Sequence, residues 1–342
     1  MSRDERRGRA GLAVLLCLWS CTAGATQPAT RPPPTAATAN SQRGSAATGG
    51  VLRCGSVERP GIAELGTDGM PRGLAVDVCR AVAIAAQGPA ARIEYSFYVS
   101  PADFDRVRRH VDDVYFLTGR EIAVEKLAGV LLPGPTVYVA SDAVMVPGNS
   151  SAAHVADLAG RGVCFLIGDT AERSLEAVFE STHADWLRHP YSETGEMADA
   201  YAVQRCQALA GESTELARIK RLDGPARLAS RLLPEPIDVF PLIAATPVGD
   251  GRLSALVAWT VATLIDAERP ETKWFAGGVR AMPLPGGELG LPAGWQARVV
   301  QAVGHYGDIF RRNLGAASGY GLDRGLNAEP AAGGLLLAPF VE

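Results

Sequence analysis

Residues 51–100 read VLRCGSVERPGIAELGTDGMPRGLAVDVCRAVAIAAQGPAARIEYSFYVS. The stretch opens on Val51-Leu52-Arg53-Cys54, a short apolar strand, and passes into a glycine-rich, loop-like segment from Gly55 to Arg72. From Leu74 to Ala86 the apolar residues recur at helical spacing, with Asp77 and Arg80 left for the solvent face. Ile93 to Val99 alternates Ile, Tyr, Phe and Val with other residues, the period of a half-buried strand. A strand, a helix and a strand in so short a run predict a βαβ unit around a largely parallel sheet.

Toward the C-terminus the alternation continues. Asp103–Val111 has helical spacing, Val114–Leu117 is a short strand, and Val137–Val146 is extended and β-branched. Gly162–Ile167 reads as a strand running through Gly168-Asp169-Thr170 into a helix over Ala171–Glu180. Leu253–Ala267 is a strong helix, with Leu256, Trp259, Thr260, Thr263, Leu264 and Ala267 on one stripe, and Trp295–Leu314 is another. No repeat of about 20–50 residues accompanies this rhythm, so the fold class is α/β and not a solenoid.

Toward the N-terminus the character changes. Met1–Arg9 carries four arginines, and Ala10–Trp19 is an apolar run of ten residues. That is too short for a bilayer, which needs about 20. A basic head before a short apolar core reads as a secretory signal within residues 1–25. Leu18-Trp19-Ser20-Cys21 resembles a bacterial lipobox, which makes Cys21 a candidate lipidation site. The small residues Ala23-Gly24-Ala25 offer the rival, ordinary cleavage. Residues 26–50, rich in Pro, Thr, Ala and Ser without apolar period, are expected to form a disordered tether.

The whole chain has 342 residues, 47% of them apolar, and a net charge of −4 without a block of like charge. This is enough apolar content for a sizeable core, and it excludes a polyanion partner such as nucleic acid. Beyond the signal stand Cys54, Cys79, Cys164 and Cys206. An even count in an exported chain predicts disulfides, and the count alone leaves three pairings open.

Two runs then carry a family likeness. One is Gly73-Leu-Ala-Val-Asp77-Val-Cys79-Arg80-Ala-Val-Ala; the other is Ala302-Val-Gly304-His-Tyr306-Gly307-Asp-Ile-Phe310-Arg-Arg-Asn313-Leu-Gly315, followed by Arg324-Gly325-Leu326-Asn327. Leu52-x-Cys54-Gly55, Val163-Cys164, Gly168-x-Thr170-x-Glu172 and Arg205-Cys206 add to them. With these the chain resembles the general amino-acid-binding periplasmic proteins of ABC transporters, over residues 51–342 and least well over Thr214–Val248. The resemblance implies a type II periplasmic-binding-protein fold, two α/β lobes joined by two hinge strands, with residues 51–141 and 240–342 as lobe I and 142–239 as lobe II. It also implies pairing within lobes, Cys54 with Cys79 and Cys164 with Cys206. The implied partners are a small polar solute and an ABC permease, the membrane being met only through a lipid anchor and the chain acting as a monomer. No cofactor is implied.

An amino-acid zwitterion needs opposed, desolvated anchors: a guanidinium and helix-start N–H groups for the carboxylate, and an acid for the ammonium. By the resemblance, Gly168-Asp169-Thr170 supplies the helix start; Thr118 is a further candidate ligand-binding residue. The late acid falls on Glu212, in Ala210-Gly211-Glu212-Ser213. The first-lobe arginine position falls on Glu125, in Ile122-Ala-Val124-Glu125-Lys126, which leaves Arg120 or Lys126 to take its place. The pocket aromatic becomes the Ile of Gly61-Ile62. These departures admit a cationic solute welcomed by Glu125 and Glu212, and they admit a ligand sensor or accessory protein that has no transporter.

Enzyme classes find little in the chain. It has no Gly-x-Ser-x-Gly elbow, phosphate-binding loop or His-Glu-x-x-His helix. The five histidines are scattered, and His183 and His189 would not share a helix face. Cysteine spacing gives no Cys-x-x-Cys. A cyclohexadienyl dehydratase-like activity on the same fold, drawing an acid–base pair from Glu125, Lys126 or Glu212, is the one catalytic alternative, and the expectation is a protein that is not an enzyme.

Overall fold

The quoted stretch folds largely as its periods predict. β1 (Leu52–Val57) leads through a turn and the small hairpin of β2 (Glu64–Leu65) and β3 (Pro71–Arg72) into α1 (Leu74–Gln87). β4 (Ile93–Tyr98) then returns parallel to β1. In this computed structural model the described residues are 50–222, 229–269 and 286–338. The expected signal, Cys21 and residues 26–49 of the expected tether lie outside them.

Next come α2 (Phe104–Arg108), β5 (Val114–Thr118), α3 (Gly119–Val124), β6 (Leu131–Leu132) and the long β7 (Thr136–Pro147). β8 (Gly162–Leu166), α4 (Thr170–Ser181), β9 (Leu187–Tyr191), α5 (Thr194–Ala202), β10 (Ala208–Glu212), α6 (Ser213–Leu222) and β11 (Ser230–Leu232) follow. The second long strand, β12 (Asp238–Pro247), precedes α7 (Gly251–Asp266), α8 (Trp295–Val303) and α9 (Tyr306–Asn313). The sheet order is β4-β1-β5-β12-β7-β10-β8-β9, with β11 beside β7 and β6 beside β12. β4, β1 and β5 are parallel, as are β10, β8 and β9. Between these blocks β12 and β7 run antiparallel to each other and to their outer neighbours. Two parallel halves are thus joined by a pair of long crossing strands.

The cores follow the same division. β7 sends Val137, Tyr138, Val139 and Ala140 into the core built on β1, α1 and α7–α9. Beyond Asp142 it sends Val144 and Val146 into one core under α4, and Ala143 and Met145 into another under α5 and α6. The C-terminal run docks on this strand. The Asn327 side chain accepts from Val139 N at 2.7 Å and donates to Val139 O at 2.9 Å, and the Tyr306 hydroxyl donates to Val137 O at 2.9 Å.

Disulfides join Cys54 on β1 to Cys79 on α1, and Cys164 on β8 to Cys206 just before β10, the pairing the resemblance implies. Each closes a loop of a few tens of residues, which stabilises by about 3–4 kcal/mol.

Three expectations are corrected. Asp77 does not face solvent: it is 6% exposed and accepts from Arg80 Nη1 at 2.8 Å, Arg312 Nε at 2.8 Å and Asn313 Nδ2 at 2.7 Å. Arg80 stays at the surface as its spacing predicts, while α9 covers α1 at Asp77, and the acid survives there because it is fully paired. The helix expected over Trp295–Leu314 is two helices. Gly304, at φ +81°, breaks it, and His305 starts α9 in a reciprocal cap with Asp308. The helix expected over Asp103–Val111 is short, begun by a 3₁₀ turn at Pro101–Asp103 and stopped by His110 at φ +52°.

Candidate functional site

The charged site stands where the crossing strands meet the two halves. After β1, the backbone of Arg59 is pinned by Arg59 N to Ala63 O, and by Ile62 N and Ala63 N to Arg59 O, all within 3.1 Å. This tight turn aims the guanidinium inward, with its side chain 12% exposed. Nη2 donates to Glu121 Oε1 at 2.6 Å and Nε to Glu212 Oε2 at 3.3 Å. Nη1 is buried without a hydrogen-bond partner among the described residues. Burial disfavours the Arg59 charge, but Glu212 and Glu121 outweigh it and raise its pKa.

Glu121 is held by its helix start. Thr118 ends β5 and caps α3: its Oγ1 accepts from Glu121 N at 3.3 Å, and Glu121 Oε2 accepts from Thr118 N at 2.7 Å. Glu212 ends β10, and its Oε1 accepts from the Thr214 hydroxyl at 3.3 Å. Burial raises the Glu212 pKa, Arg59 opposes this, and Glu121 adds to it.

On the other half, Gly168 at φ +77° turns β8 into α4, a conformation that glycine adopts without strain. Gly168 N donates to Glu172 Oε2 at 2.7 Å, and Gly168 O accepts from Arg120 Nη2 at 3.0 Å. Thr170 donates both its N–H and its hydroxyl to Asp169 Oδ1, at 2.6 and 3.2 Å. Arg59–Glu212 and Arg120–Gly168 are therefore direct links between the halves.

Asp142 lies on β7 beside this group, 0% exposed, with neither carboxylate oxygen in a well-formed hydrogen bond among the described residues; the Thr170 side chain, already given to Asp169, is the one donor that bears on it. Burial pushes it up to about 7; the Thr170 side chain offsets part of that, and Asp169, Glu212 and Asp238 reinforce it.

Of the residues expected at a binding site, Thr118, Arg120, Gly168, Thr170 and Glu212 gather here. Glu125 and Lys126 do not join the Arg59 group. Glu125 caps the far end of α3 and accepts from Arg108 Nη2 at 2.9 Å, and Lys126 is exposed at φ +56°. Ile62, at the position of the pocket aromatic, is a core residue at 0% exposure. A mainly apolar pocket of about 310 Å³ adjoins Arg120 and Glu121, lined by Val57, Tyr98, Phe104 and Val124 among others, and Glu125 borders it. It is sized for a modest side chain.

Arg59, Glu121 and Asp142 were not among the expected residues. Glu121 had a signal in Thr118-x-x-Glu121, a capping-box pattern. Asp142 had one as a lone acid within the apolar run TVYVASDAVMVP, residues 136–147. Arg59 had none, since a charge in a turn is normally solvated.

No family model matches the chain. It is 28% identical over 308 residues to the "General L-amino acid-binding periplasmic protein AapJ" of Rhizobium johnstonii, covering 85% of this chain and 89% of that one. The "Glutamate/glutamine/aspartate/asparagine-binding protein BztA" of Rhodobacter capsulatus is 27% identical over 317 residues, covering 85% and 90%. A periplasmic binding protein from Brucella ovis, solved with glutathione bound, matches at TM-score 0.69 and 27% identity over 86% of this chain and 97% of that chain. A substrate-binding domain of a putative amino-acid ABC transporter from Streptococcus pneumoniae matches at TM-score 0.51 and 13% identity, a likeness of fold. These relatives are binding proteins, and among the described residues no helix is long and apolar enough to cross a membrane. The chain has the type II periplasmic-binding-protein fold and is a homologue of the amino-acid-binding periplasmic proteins of ABC transporters.

Proposed function

We propose that this chain is an extracytoplasmic solute receptor that takes an amino acid or a related small polar solute between its halves and delivers it to an ABC importer. One observation carries the reading: Glu212, Gly168 and Thr170 on one side and Arg59, Arg120 and Glu121 on the other come together where β7 and β12 cross. Charged groups of both signs, with Arg59, Glu121 and Glu212 largely desolvated, suit a solute that carries both signs. The halves act as lobes over residues 51–141 with 240–342, and over 142–239. The support for those limits is the change of core along β7 at Asp142. Closure about the two strands is the signal an importer reads. The chain works as a monomer held to a membrane by a lipid at Cys21 and by residues 26–50, and it performs no catalysis.

A second reading is favoured by Arg59. The guanidinium already bridges the halves, so closure has an internal source, which suits a ligand sensor or accessory protein without a cognate importer. Thermal unfolding of the refolded, ligand-stripped chain against amino acids, amines and polyamines tests the first reading. A ligand that binds the folded state alone stabilises it by RT ln(1 + [L]/Kd), about 2.7 kcal/mol at a hundredfold excess over Kd. A shift with an amino acid or amine supports the receptor, and no shift with any of them transfers the case to the sensor.

A further inference from the structure

Three carboxylates stand in a row across the middle of the sheet. Asp142 on β7 is directly opposite Glu212 on β10 and Asp238 on β12, so the three side chains leave the same face. A row of acids designates nothing by itself. Asp142 differs from its neighbours in being fully buried with both oxygens unpartnered among the described residues. A buried carboxylate without donors is costly, and in a native structure it requires a functional explanation.

The groups that face it are all acids or already engaged. β10 brings Glu212, β12 brings Asp238, and the start of α4 brings Asp169 and Thr170. The Thr170 hydroxyl is given to Asp169. Lys220 and Arg231 line the opposite face of β7, with Ser141 and Ala143. Glu212, the acceptor implied by the family likeness, is engaged twice, by Arg59 on Oε2 and by the Thr214 hydroxyl on Oε1. Asp142 is the carboxylate of this group that, among the described residues, has neither oxygen in a well-formed hydrogen bond.

We infer that Asp142 receives the ammonium group of the solute, while the chain's own Arg59 holds Glu212. The ligand class is accordingly a primary amine, an amino acid or an alkyl amine, and excludes amine-free carboxylates. An ammonium brings three N–H donors to two bare oxygens and a positive charge to a row of three acids. A dedicated metal site fits less well, since no group of three or more His, Cys, Asp or Glu arranged to hold a metal ion occurs among the described residues. The inference rests on the receptor reading and goes beyond it by naming the acceptor and the ligand class.

Ammonium binding requires the charged carboxylate, and burial holds Asp142 at about 7, so affinity depends on pH. Below that value a proton must leave before the amine binds, and affinity falls, by about fivefold over the first pH unit and approaching about tenfold per unit further down. Above it the dependence flattens.

The test is calorimetric titration of the ligand-stripped chain at pH 6, 7 and 8. L-Alanine, L-glutamine and putrescine are each set beside an amine-free counterpart: propionate, glutaramate and 1,4-butanediol. The expected result is that at least one amine binds and its counterpart does not, with affinity rising about fivefold from pH 6 to 7 and about twofold more from pH 7 to 8. In Asp142→Asn the affinity at pH 8 is at least tenfold weaker and flat in pH. An amine that binds with a flat pH profile and unchanged strength in Asp142→Asn overturns the inference and leaves the receptor standing. So does a counterpart that binds as tightly as its amine. Failure of every solute to bind wild type overturns both. The wild-type pH profile needs no variant, so a misfolded Asp142→Asn would not shelter the proposal.

Discussion

Arg59 and Glu212 are 153 positions apart in the chain and meet at 3.3 Å between the two halves of the sheet. With Glu121 at 2.6 Å on the same guanidinium, one cation is shared by two acids, all three side chains at most 20% exposed. Taking away one member of such a group leaves a buried, uncompensated charge, which costs more than the pair contributes when intact.

Arg59→Met is therefore expected to destabilise the chain by about 3–5 kcal/mol at neutral pH. Adding Glu121→Gln and Glu212→Gln to that variant should restore much of the loss, because the stranded charges go with the guanidinium. Urea denaturation of the single and triple variants decides it. Equal stability of the two means the acids are not stranded.

Asp142 sets a stability change with a definite sign. Its folded pKa is about 7 and lies above the ordinary carboxyl value, so between pH 4 and 7 the folded chain binds more protons than the unfolded chain. Stability supplied by the protonated carboxyl is complete below about pH 4 and is lost as pH rises through 7. Asp142→Asn should raise the melting temperature most at pH 8, less at pH 5 and little below pH 4, with a difference between the extremes on the order of a few kcal/mol. A melting-temperature difference that does not vary with pH would contradict the buried, unpaired state of this acid.

Asp77 ties α1 to α9 through Arg312 and Asn313. Asp77→Ala removes the acceptor of three donors and is expected to cost about 2–4 kcal/mol in urea denaturation. A loss under 0.5 kcal/mol would mean that these donors are equally well served by water.

Reduction is expected to lower the melting temperature of the chain, since each disulfide contributes about 3–4 kcal/mol. Cys54→Ser with Cys79→Ser should weaken the half built on β1 and α1. Cys164→Ser with Cys206→Ser should weaken the half built on β8 and β10. Differential scanning calorimetry with and without dithiothreitol reads both, and an unchanged melting temperature under reduction would contradict this contribution.

Much of the fold is written in local periods. The apolar spacing of Leu74–Ala86 and the alternation of Ile93–Val99 each depend on near neighbours, and both elements formed within a residue or two of expectation. The break at Gly304 escaped because apolar spacing continues across it, while the decisive facts were a positive φ and the His305–Asp308 cap. Asp77 escaped because helical spacing tells which face is less apolar and not whether another helix covers it. The site was legible in part. Thr118, Gly168, Thr170 and Glu212 were candidates through the family resemblance, and they sit at strand ends and helix starts. Arg59 sits in a turn whose aim depends on hydrogen bonds to Ala63 and Ile62, which no period records.

The central claim is that the group around Arg59, Glu212 and Thr170 binds a small polar solute. Equilibrium dialysis of labelled amino acids and putrescine against the ligand-stripped chain at pH 8 tests it most directly, with wild type beside Glu212→Gln and Thr170→Val. The account predicts saturable, one-to-one binding of at least one of these solutes, weakened tenfold or more in both variants. Absence of saturable binding, or binding of equal strength in all three proteins, would contradict it.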